Sequence, residues 1–308
     1  MAPRMNSHSP EAMRAANRRG ILAMAGGMAC FVANDSLVKY VSESLPAPQL
    51  IFLRGLFATA LLVAISHAMR ATARIHALLD RRVVIRALFD AFATMTYLTS
   101  LFHLPIANAT AINMATPLFI TLFAVVAFKE RVGPGRWVAI AAGFTGVLLV
   151  VQPSGAAFNA YALLCLGGTL LHASRDLLTR VIDRSIPSIL ITLSTALAVT
   201  VLAGAWSLVS EWRGVTAAQL GLLAAASVFL SGGYFLLTVA MRGGEMSLIA
   251  PFRYTALMFA VVLGYLVWGD APNALAWAGI ALLVAAGLYV LQGQRVRAAR
   301  PELEPIPD

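Results

Sequence analysis

The chain has 308 residues, of which 59% are hydrophobic and only 12% are charged. A soluble protein of this length needs more polar surface to cover its cores, so this composition excludes an ordinary soluble domain. The net charge of +9 could suggest nucleic-acid binding, but the Lys and Arg residues recur between apolar runs instead of forming one basic face or tail, which argues against a nucleic-acid partner.

Long apolar segments follow one another along the whole chain. A membrane-spanning helix needs about 20 mostly apolar residues. The segments of this kind are Gly20–Val41, Ala47–Met69, Val83–Phe102, Pro105–Phe128, Arg136–Val151, Ala160–Ile182, Ser188–Val209, Ala217–Met241, Ser247–Trp268 and Ala274–Leu291. The first is expected to be an uncleaved helix and not a signal peptide, because it can span, carries Asp35 and precedes nine more. The sequence predicts an all-α integral membrane protein with ten transmembrane helices in a lipid bilayer.

The basic residues predict the orientation. Lys and Arg concentrate in the N-terminal segment, the even-numbered loops and the tail, whereas the odd-numbered loops contain only Arg213. Cytoplasmic loops carry the excess of Lys and Arg. We therefore expect both termini to be cytoplasmic and the protein to lie in the inner or plasma membrane.

The two halves of the chain resemble each other. The run AGGMACFVANDSLVKYVSESLP, ending at Pro46, aligns with CLGGTLLHASRDLLTRVIDRSIP, ending at Pro187. This alignment, with an offset of 141, pairs Asp35 with Asp176, Lys39 with Arg180 and Ser44 with Ser185. Further along, FKERVGPGRWVAIA aligns with WGDAPNALAWAGIA at an offset of 140, which pairs Phe119 with Phe259, Glu130 with Asp270 and Trp137 with Trp277. Five helices are an odd number, so the second copy should be inverted in the membrane. Inverted repeats around a midplane cavity are typical of transporters that work by alternating access, although a scaffold or a channel is the alternative.

The repeat sets the predicted domain boundaries. We expect a cytoplasmic N-terminal segment at 1–19, a first repeat at 20–152, a second repeat at 153–293 and a disordered cytoplasmic tail at 294–308. The tail is rich in Pro, Glu and Arg, a composition that cannot bury enough apolar surface to fold.

The stretch PIANATAINMATPLFITLFAVVAFKERVGPGRWVAIAAGFTGVLLVVQP resembles the second half of an EamA domain of the drug/metabolite transporter superfamily. The resemblance rests on the Ala- and Asn-rich helix start and on Pro117, Phe119, Glu130, Gly143 and Gly146. It extends over nearly the whole chain as two tandem EamA units, although Leu257 and Asp270 depart from the pattern in the second. It implies that helices one, three, four, six, eight and nine line a central cavity. It also implies that helices five and ten are peripheral, where they could form a homodimer.

Several ionisable residues lie within the predicted spans, where a charge costs about 2.5–3.5 kcal/mol at a helix centre. Asp35 and Arg54 are expected at similar depths and could pair, with Lys39 as a competing partner one turn from Asp35. Such a pair would either fix helix two on helix one or act in gating or binding. Arg86 and Asp90 are four residues apart and either satisfy each other or place Asp90 in the cavity, as a proton acceptor or a contact for a substrate amine.

The second half suggests a mirrored arrangement. Asp176 is the repeat equivalent of Asp35, and Arg253 enters helix nine at a comparable depth. We expect an Asp176–Arg253 contact, and the two pairs could then be an inner and an outer gate that alternate. His172, one turn from Asp176, is either a proton relay or simply packed.

Uncharged polar residues complete the candidate site. They are Asn34, Thr94, Tyr97, Asn113, Tyr234 and Tyr254. Together they suit a polar metabolite with a planar or apolar part, although each tyrosine could equally serve in ordinary helix packing.

The sequence favours a secondary transporter of small organic metabolites, of the amino-acid-like or drug/metabolite class, driven by an ion gradient or by exchange. It has no GxxxxGK[ST] nucleotide-binding loop, no HExxH motif and no GxSxG motif, so we predict no enzyme activity, no cofactor and no metal site. An uptake carrier for a cofactor-like compound, such as S-adenosylmethionine or riboflavin, and a non-transporting scaffold are the alternatives.

Overall fold

A computed structural model describes residues 10–128, 133–152, 159–179, 181–183, 185–242 and 246–298 of this protein. Every regular element within these ranges is helical. The expectation of an all-α protein is therefore confirmed.

Twelve α-helices and two 3-10 segments make up the described part of the chain. They are α1 Pro10–Ser42, α2 Ala47–Ala68, a 3-10 segment Ala71–Leu79, α3 Arg81–His103, α4 Ile106–Asn113, α5 Thr116–Phe128, α6 Pro134–Val151, α7 Tyr161–Thr179, α8 Ser188–Ser207, α9 Ala217–Arg242, α10 Met246–Ile249, a 3-10 segment Ala250–Tyr254, α11 Thr255–Trp268 and α12 Ala274–Ala298. Each predicted span coincides with one helix or with a short series of helices.

Seven helical stretches in the described ranges are long and apolar enough to cross a membrane. They are α1, α2, α4 together with α5, α6, α8, α9, and the second 3-10 segment together with α11. The stretch Ala274–Val290 in α12 is apolar but shorter. α3 and α7 fall outside this set, and they carry the charged residues Arg86, Asp90, Arg175 and Asp176.

The helices form a bundle with two ends. At the end that carries the start of α1 and the start of α3, which we call the terminal end, Arg74 Nη1 donates to the Ser185 carbonyl at 2.7 Å. At the opposite or distal end, Gln152 Nε2 donates to Asn273 Oδ1 at 2.9 Å and joins α6 to α12. The connections are short, so successive helices run between these ends in alternating directions.

Two of the predicted continuous spans are broken, the fourth near its middle and the ninth in its first third. α4 ends at Asn113 and α5 begins at Thr116, because Pro117 has no N–H and its ring conflicts with the carbonyl four residues earlier. The Thr116 hydroxyl donates to the Asn113 carbonyl at 2.6 Å and satisfies this freed group. The ninth span is broken in the same way by the 3-10 segment that contains Pro251. Both breaks leave irregular backbone inside the bundle, which is tolerated where it is buried or lines a cavity.

Glycines allow the closest helix contacts. α1 packs on α9, α3 on α7, α2 on α8 and α6 on α12. A methyl group at Gly27 would lie 3.2 Å from the Gly233 carbonyl oxygen, and one at Gly146 would lie 2.7 Å from the Gly279 carbonyl oxygen. The backbones therefore meet directly, as small residues permit in membrane helices.

The helical boundaries differ from the sequence expectation at both termini. α1 begins at Pro10, inside the segment expected to precede the first span. α12 continues to Ala298, inside the segment expected to be disordered. Glu130 and Arg180, which the repeat pairs with Asp270 and Lys39, lie outside the described residues.

Candidate functional site

A cavity of about 240 Å³ lies at the centre of the bundle, and residues from both halves of the chain line it. Its polar lining consists of Asn34, Asp35, Arg54, Arg86, Asp90, Thr94, Tyr97, Thr110, Asn113, Thr116, His172, Arg175, Thr192, Thr195, Ser231, Tyr234 and Arg253. Helices α2 and α8 contribute to this lining in addition to the helices implied by the family resemblance. Thr192 and Thr195 on α8 carry no charge and no motif, so the sequence offered no signal for them.

The cavity brings together ten of the twelve candidate site residues. They are Asn34, Asp35, Arg54, Asp90, Thr94, Tyr97, Asn113, His172, Tyr234 and Arg253. Asp176 and Tyr254 are not part of the lining. The buried Tyr254 ring points towards α12, where a side chain at Gly287 would collide with its hydroxyl.

Asp35 is held by neutral partners. The Tyr97 hydroxyl donates to Asp35 Oδ2 at 2.9 Å, and Asn34 Nδ2 donates to Asp35 Oδ1 at 2.8 Å. Arg54 Nη1 donates instead to Asn34 Oδ1 at 3.3 Å. The expected direct Asp35–Arg54 ion pair is therefore wrong, because the Asn34 amide lies between the two charges and bonds to both.

Lys39 does not compete for Asp35 either. Its Nζ donates to the carbonyls of Leu101 at 2.9 Å and Leu104 at 2.6 Å, at the distal end of α3. It also lies 5.5 Å from the centroid of the Trp268 ring on α11. A cation at these carbonyls satisfies the last groups of the helix and complements its dipole. Lys39 therefore joins α1, α3 and α11 at the distal end of the cavity.

Asp90 is the centre of a buried charge cluster. The expected pair with Arg86 is confirmed at 3.3 Å, and Arg175 Nη1 makes a second ion pair at 2.9 Å. The Thr195 hydroxyl donates to Asp90 Oδ2 at 3.0 Å. The side chain of Asp90 is only 4% exposed, and it also contributes to the cavity lining. Asp90 is thus both paired with Arg86 and placed in the cavity lining, while its role as a proton acceptor or amine contact stays a prediction. The additional partner Arg175 was identifiable from sequence only as one more charge within a span.

The mirrored contact in the second half is absent. Asp176 Oδ1 pairs with Arg175 Nη2 at 2.9 Å, and no described side chain makes an ion pair with Arg253. The expected Asp176–Arg253 contact is wrong because the adjacent Arg175 bridges Asp176 to α3. The expected neighbour of Asp176, His172, instead has its Nδ1 at 3.1 Å from Asn113 Oδ1.

Comparisons with known proteins agree with this architecture. A sequence model of the EamA-like transporter family matches residues 18–152 and again residues 159–292. A solved crystal structure that is 18% identical has a TM-score of 0.60 and covers 91% of this chain and 99% of that one, so the two share a fold.

Characterised relatives are more informative about the class of protein. A riboflavin transporter of Rhizobium johnstonii is 30% identical over 220 residues, which are 71% of this chain and 73% of that protein. The pseudopaline exporter CntI of Pseudomonas aeruginosa is 25% identical and covers 87% of this chain and 94% of its own. An S-adenosylmethionine uptake transporter of Rickettsia bellii is also 25% identical, over 85% of this chain and 90% of its own. Two tandem family matches that span most of the sequence establish that the chain belongs to the EamA-like transporter family.

Proposed function

We propose that this protein is a secondary transporter that carries a small organic metabolite through its central cavity by alternating access. The observation that carries the proposal is a cavity lined by charged and polar side chains from both halves of a membrane-embedded bundle. Buried charge in a membrane protein is costly and marks a solute pathway when it surrounds a cavity. A volume of about 240 Å³ lies just below the range of about 300–1,000 Å³ that is common for drug-sized ligands, which favours a small metabolite.

Ten spans arranged as two inverted repeats are part of this proposal, and the packing of the helices supports them. If each helix is exchanged for its repeat equivalent, the α1–α9 contact becomes the α7–α3 contact, and the contact between α1 and α11 becomes that between α7 and α5. The α2–α8 and α6–α12 contacts map onto themselves. Pro46 and Pro187 precede α2 and α8 with nearly the same backbone angles. This pattern is the one expected of two halves related by a twofold axis in the membrane plane.

The repeat predicts opposite membrane sides for equivalent loop residues. Ser44 and Ser185 are both exposed and precede Pro46 and Pro187. In a variant lacking both native cysteines, a membrane-impermeant maleimide should label Ser44→Cys on intact cells and Ser185→Cys only after permeabilisation. This result would support cytoplasmic termini. Labelling of both positions from the same side would reject the inverted arrangement.

The contacts at the distal end suggest how access is controlled. Lys39 ties α1 to the end of α3, and Trp268 Nε1 donates to Glu43 Oε1 at 2.7 Å and ties α1 to α11. These bonds hold α1, α3 and α11 together at the distal end, and we propose that they restrict access to the cavity from that side. We propose Lys39 as the latch at this end, in place of the gating pairs that the sequence suggested.

The source of energy follows from what the sequence lacks. No nucleotide-binding motif is present in the chain, and its family consists of transporters. We propose coupling to an ion gradient or to exchange. A homodimer through α6 and α12 would use only their outer faces, because Gly146 and Gly279 already hold these two helices together.

Reconstituted protein tests transport and separates the candidate substrates. Proteoliposomes would be loaded with proteinogenic amino acids, 2-oxo acids, sugar phosphates, riboflavin and S-adenosylmethionine, and the retained compounds would be quantified by mass spectrometry. We expect at least one compound to leave about tenfold faster than from protein-free liposomes. Selective loss of riboflavin or S-adenosylmethionine would favour the cofactor-like class that is named for the relatives. Equal retention of every compound in both samples would reject transport and favour a scaffold.

A further inference from the structure

The charges that line the cavity do not balance. Among the described residues, four arginines line it, Arg54, Arg86, Arg175 and Arg253, against the two aspartates Asp35 and Asp90. Asp176, which pairs with Arg175 from outside the lining, offsets only one of the two excess positive charges. A cleft with charge of one sign and low-dielectric walls concentrates ions of the opposite sign. The cavity therefore attracts anions.

Both aspartates already have partners on each oxygen. Asp90 accepts from Thr195 and pairs with Arg86 and Arg175. Asp35 accepts from Tyr97 and Asn34. A carboxylate oxygen can accept more than one hydrogen bond, so a substrate amine would have to share these oxygens with the partners already in place.

Arg54 has no carboxylate in direct contact, because the Asn34 amide separates it from the nearby Asp35. It is 5% exposed and contributes to the cavity lining. Among the described residues its guanidinium donates to the Asn34 amide oxygen at 3.3 Å, and its buried Nε has no hydrogen-bond partner there. A buried guanidinium with an orphaned donor is costly in a membrane, and a bound anion would lower that cost.

Tyr234 supplies a second donor to the same cavity. It lines the cavity together with Arg54, and its hydroxyl makes no hydrogen bond to any described residue. Its ring packs edge-on against Phe31, with 5.1 Å between the ring centroids. The remaining lining near these residues is apolar, with Met28, Val32 and Leu230.

We infer that the transported solute carries an anionic group, a carboxylate or a phosphate, which binds Arg54 and the Tyr234 hydroxyl while its apolar body lies against Phe31. The inference rests on the proposed function in one respect: it takes the bound ligand to be the transported solute. The binding site itself rests on the cavity-lining guanidinium of Arg54, whose buried Nε has no partner among the described residues.

A matched probe series tests the site on the full chain in detergent. The probes share one phenyl body: 3-phenylpropanoate and 2-phenylethyl phosphate are anions, 3-phenylpropanamide is neutral and 3-phenylpropylamine is a cation. A ligand that binds only the folded state raises the melting temperature, which tryptophan fluorescence can follow. We expect only the two anions to raise it. The anion that raises the melting temperature more indicates whether the site prefers a carboxylate or a phosphate.

Substitutions assign the effect to Arg54. Arg54→Gln should weaken anion binding by roughly tenfold to a hundredfold, because it removes hydrogen bonds from a charged donor. Arg54→Lys should keep part of the effect. The control Arg19→Gln removes the same charge from an exposed position on α1 and should respond as the unchanged protein does.

Several results would overturn the inference: no melting shift with either anion, equal or larger shifts with the amide or the amine, or an unchanged anion response in Arg54→Gln. If Arg54→Gln does not fold, Arg54→Lys and Tyr234→Phe decide, and unchanged anion binding in both rejects the site. The outcome is independent of the liposome assay. Melting shifts with the anions but no efflux from the liposomes would reject transport alone. Efflux from the liposomes together with a larger melting shift for the amine would reject the anion site alone.

Discussion

Replacing Asp90 with alanine is expected to lower the free energy of unfolding by about 3–5 kcal/mol, because removing one partner of a buried ion pair leaves the other uncompensated. Here two guanidinium groups, those of Arg86 and Arg175, would lose their shared carboxylate. For a protein of this size, the melting temperature should fall by roughly 10 °C. Thermal unfolding of the purified full chain measures this change.

Two further variants identify the cause. Asp80→Ala removes an exposed carboxylate that caps α3 through the Arg82 backbone N–H, so it should cost only about 1 kcal/mol. Adding Arg175→Met to Asp90→Ala should recover part of the lost stability, because one of the orphaned charges is gone. Similar losses for Asp80→Ala and Asp90→Ala would show that the Asp90 cluster does not hold α3 against α7.

Replacing Lys39 with methionine is expected to open the distal end of the cavity. Hydrogen bonds from a charged donor contribute about 1.5–3 kcal/mol, so their loss should raise the population of distally open molecules roughly tenfold to a hundredfold. Cys165 reports this opening because it is fully buried in the first turns of α7, which begins at the distal end, and its thiol donates to the Ala109 carbonyl at 3.7 Å. In a Cys30→Ala background, the rate of Cys165 labelling by a maleimide should rise by that factor.

The controls for this experiment keep the charge or leave the contact untouched. Lys39→Arg should retain slow labelling, since a guanidinium can still donate to the Leu101 and Leu104 carbonyls. Tyr40→Phe changes the exposed neighbour of Lys39 and should leave the rate unaltered. If Lys39→Met labels as slowly as Lys39→Arg, the lysine is not a latch.

The broken helices show where sequence and structure diverge. Pro117 indicated a weak point in the backbone hydrogen bonding of the fourth span. Its aligned position in the ninth span is Leu257, which indicated that the helix in the second half would differ. The structure breaks both spans at equivalent places, the ninth through Pro251. Different prolines thus produce similar breaks, because any proline in this region removes a backbone donor.

The pairing of charges could not be derived from depth alone. Asp35 and Arg54 were assigned to similar depths, yet Asn34 separates them in space. Depth along a helix is local information, whereas the direction of a side chain around the helix axis depends on which neighbour it packs against. Arg175 became a central residue only because α7 packs on α3.

The sequence by itself determined the all-helical membrane character, the position of the helices and the family. These features depend on runs of about 20 apolar residues and on local motifs, because the thickness of the bilayer sets the length of a helix that can cross it. Only the tertiary structure decided that Asp90 is shared by Arg86 and Arg175, that Lys39 bonds to the end of α3 and that Asn34 separates Arg54 from Asp35. Their partners come from helices far apart in the chain, and several pairings fit the same sequence until packing selects one.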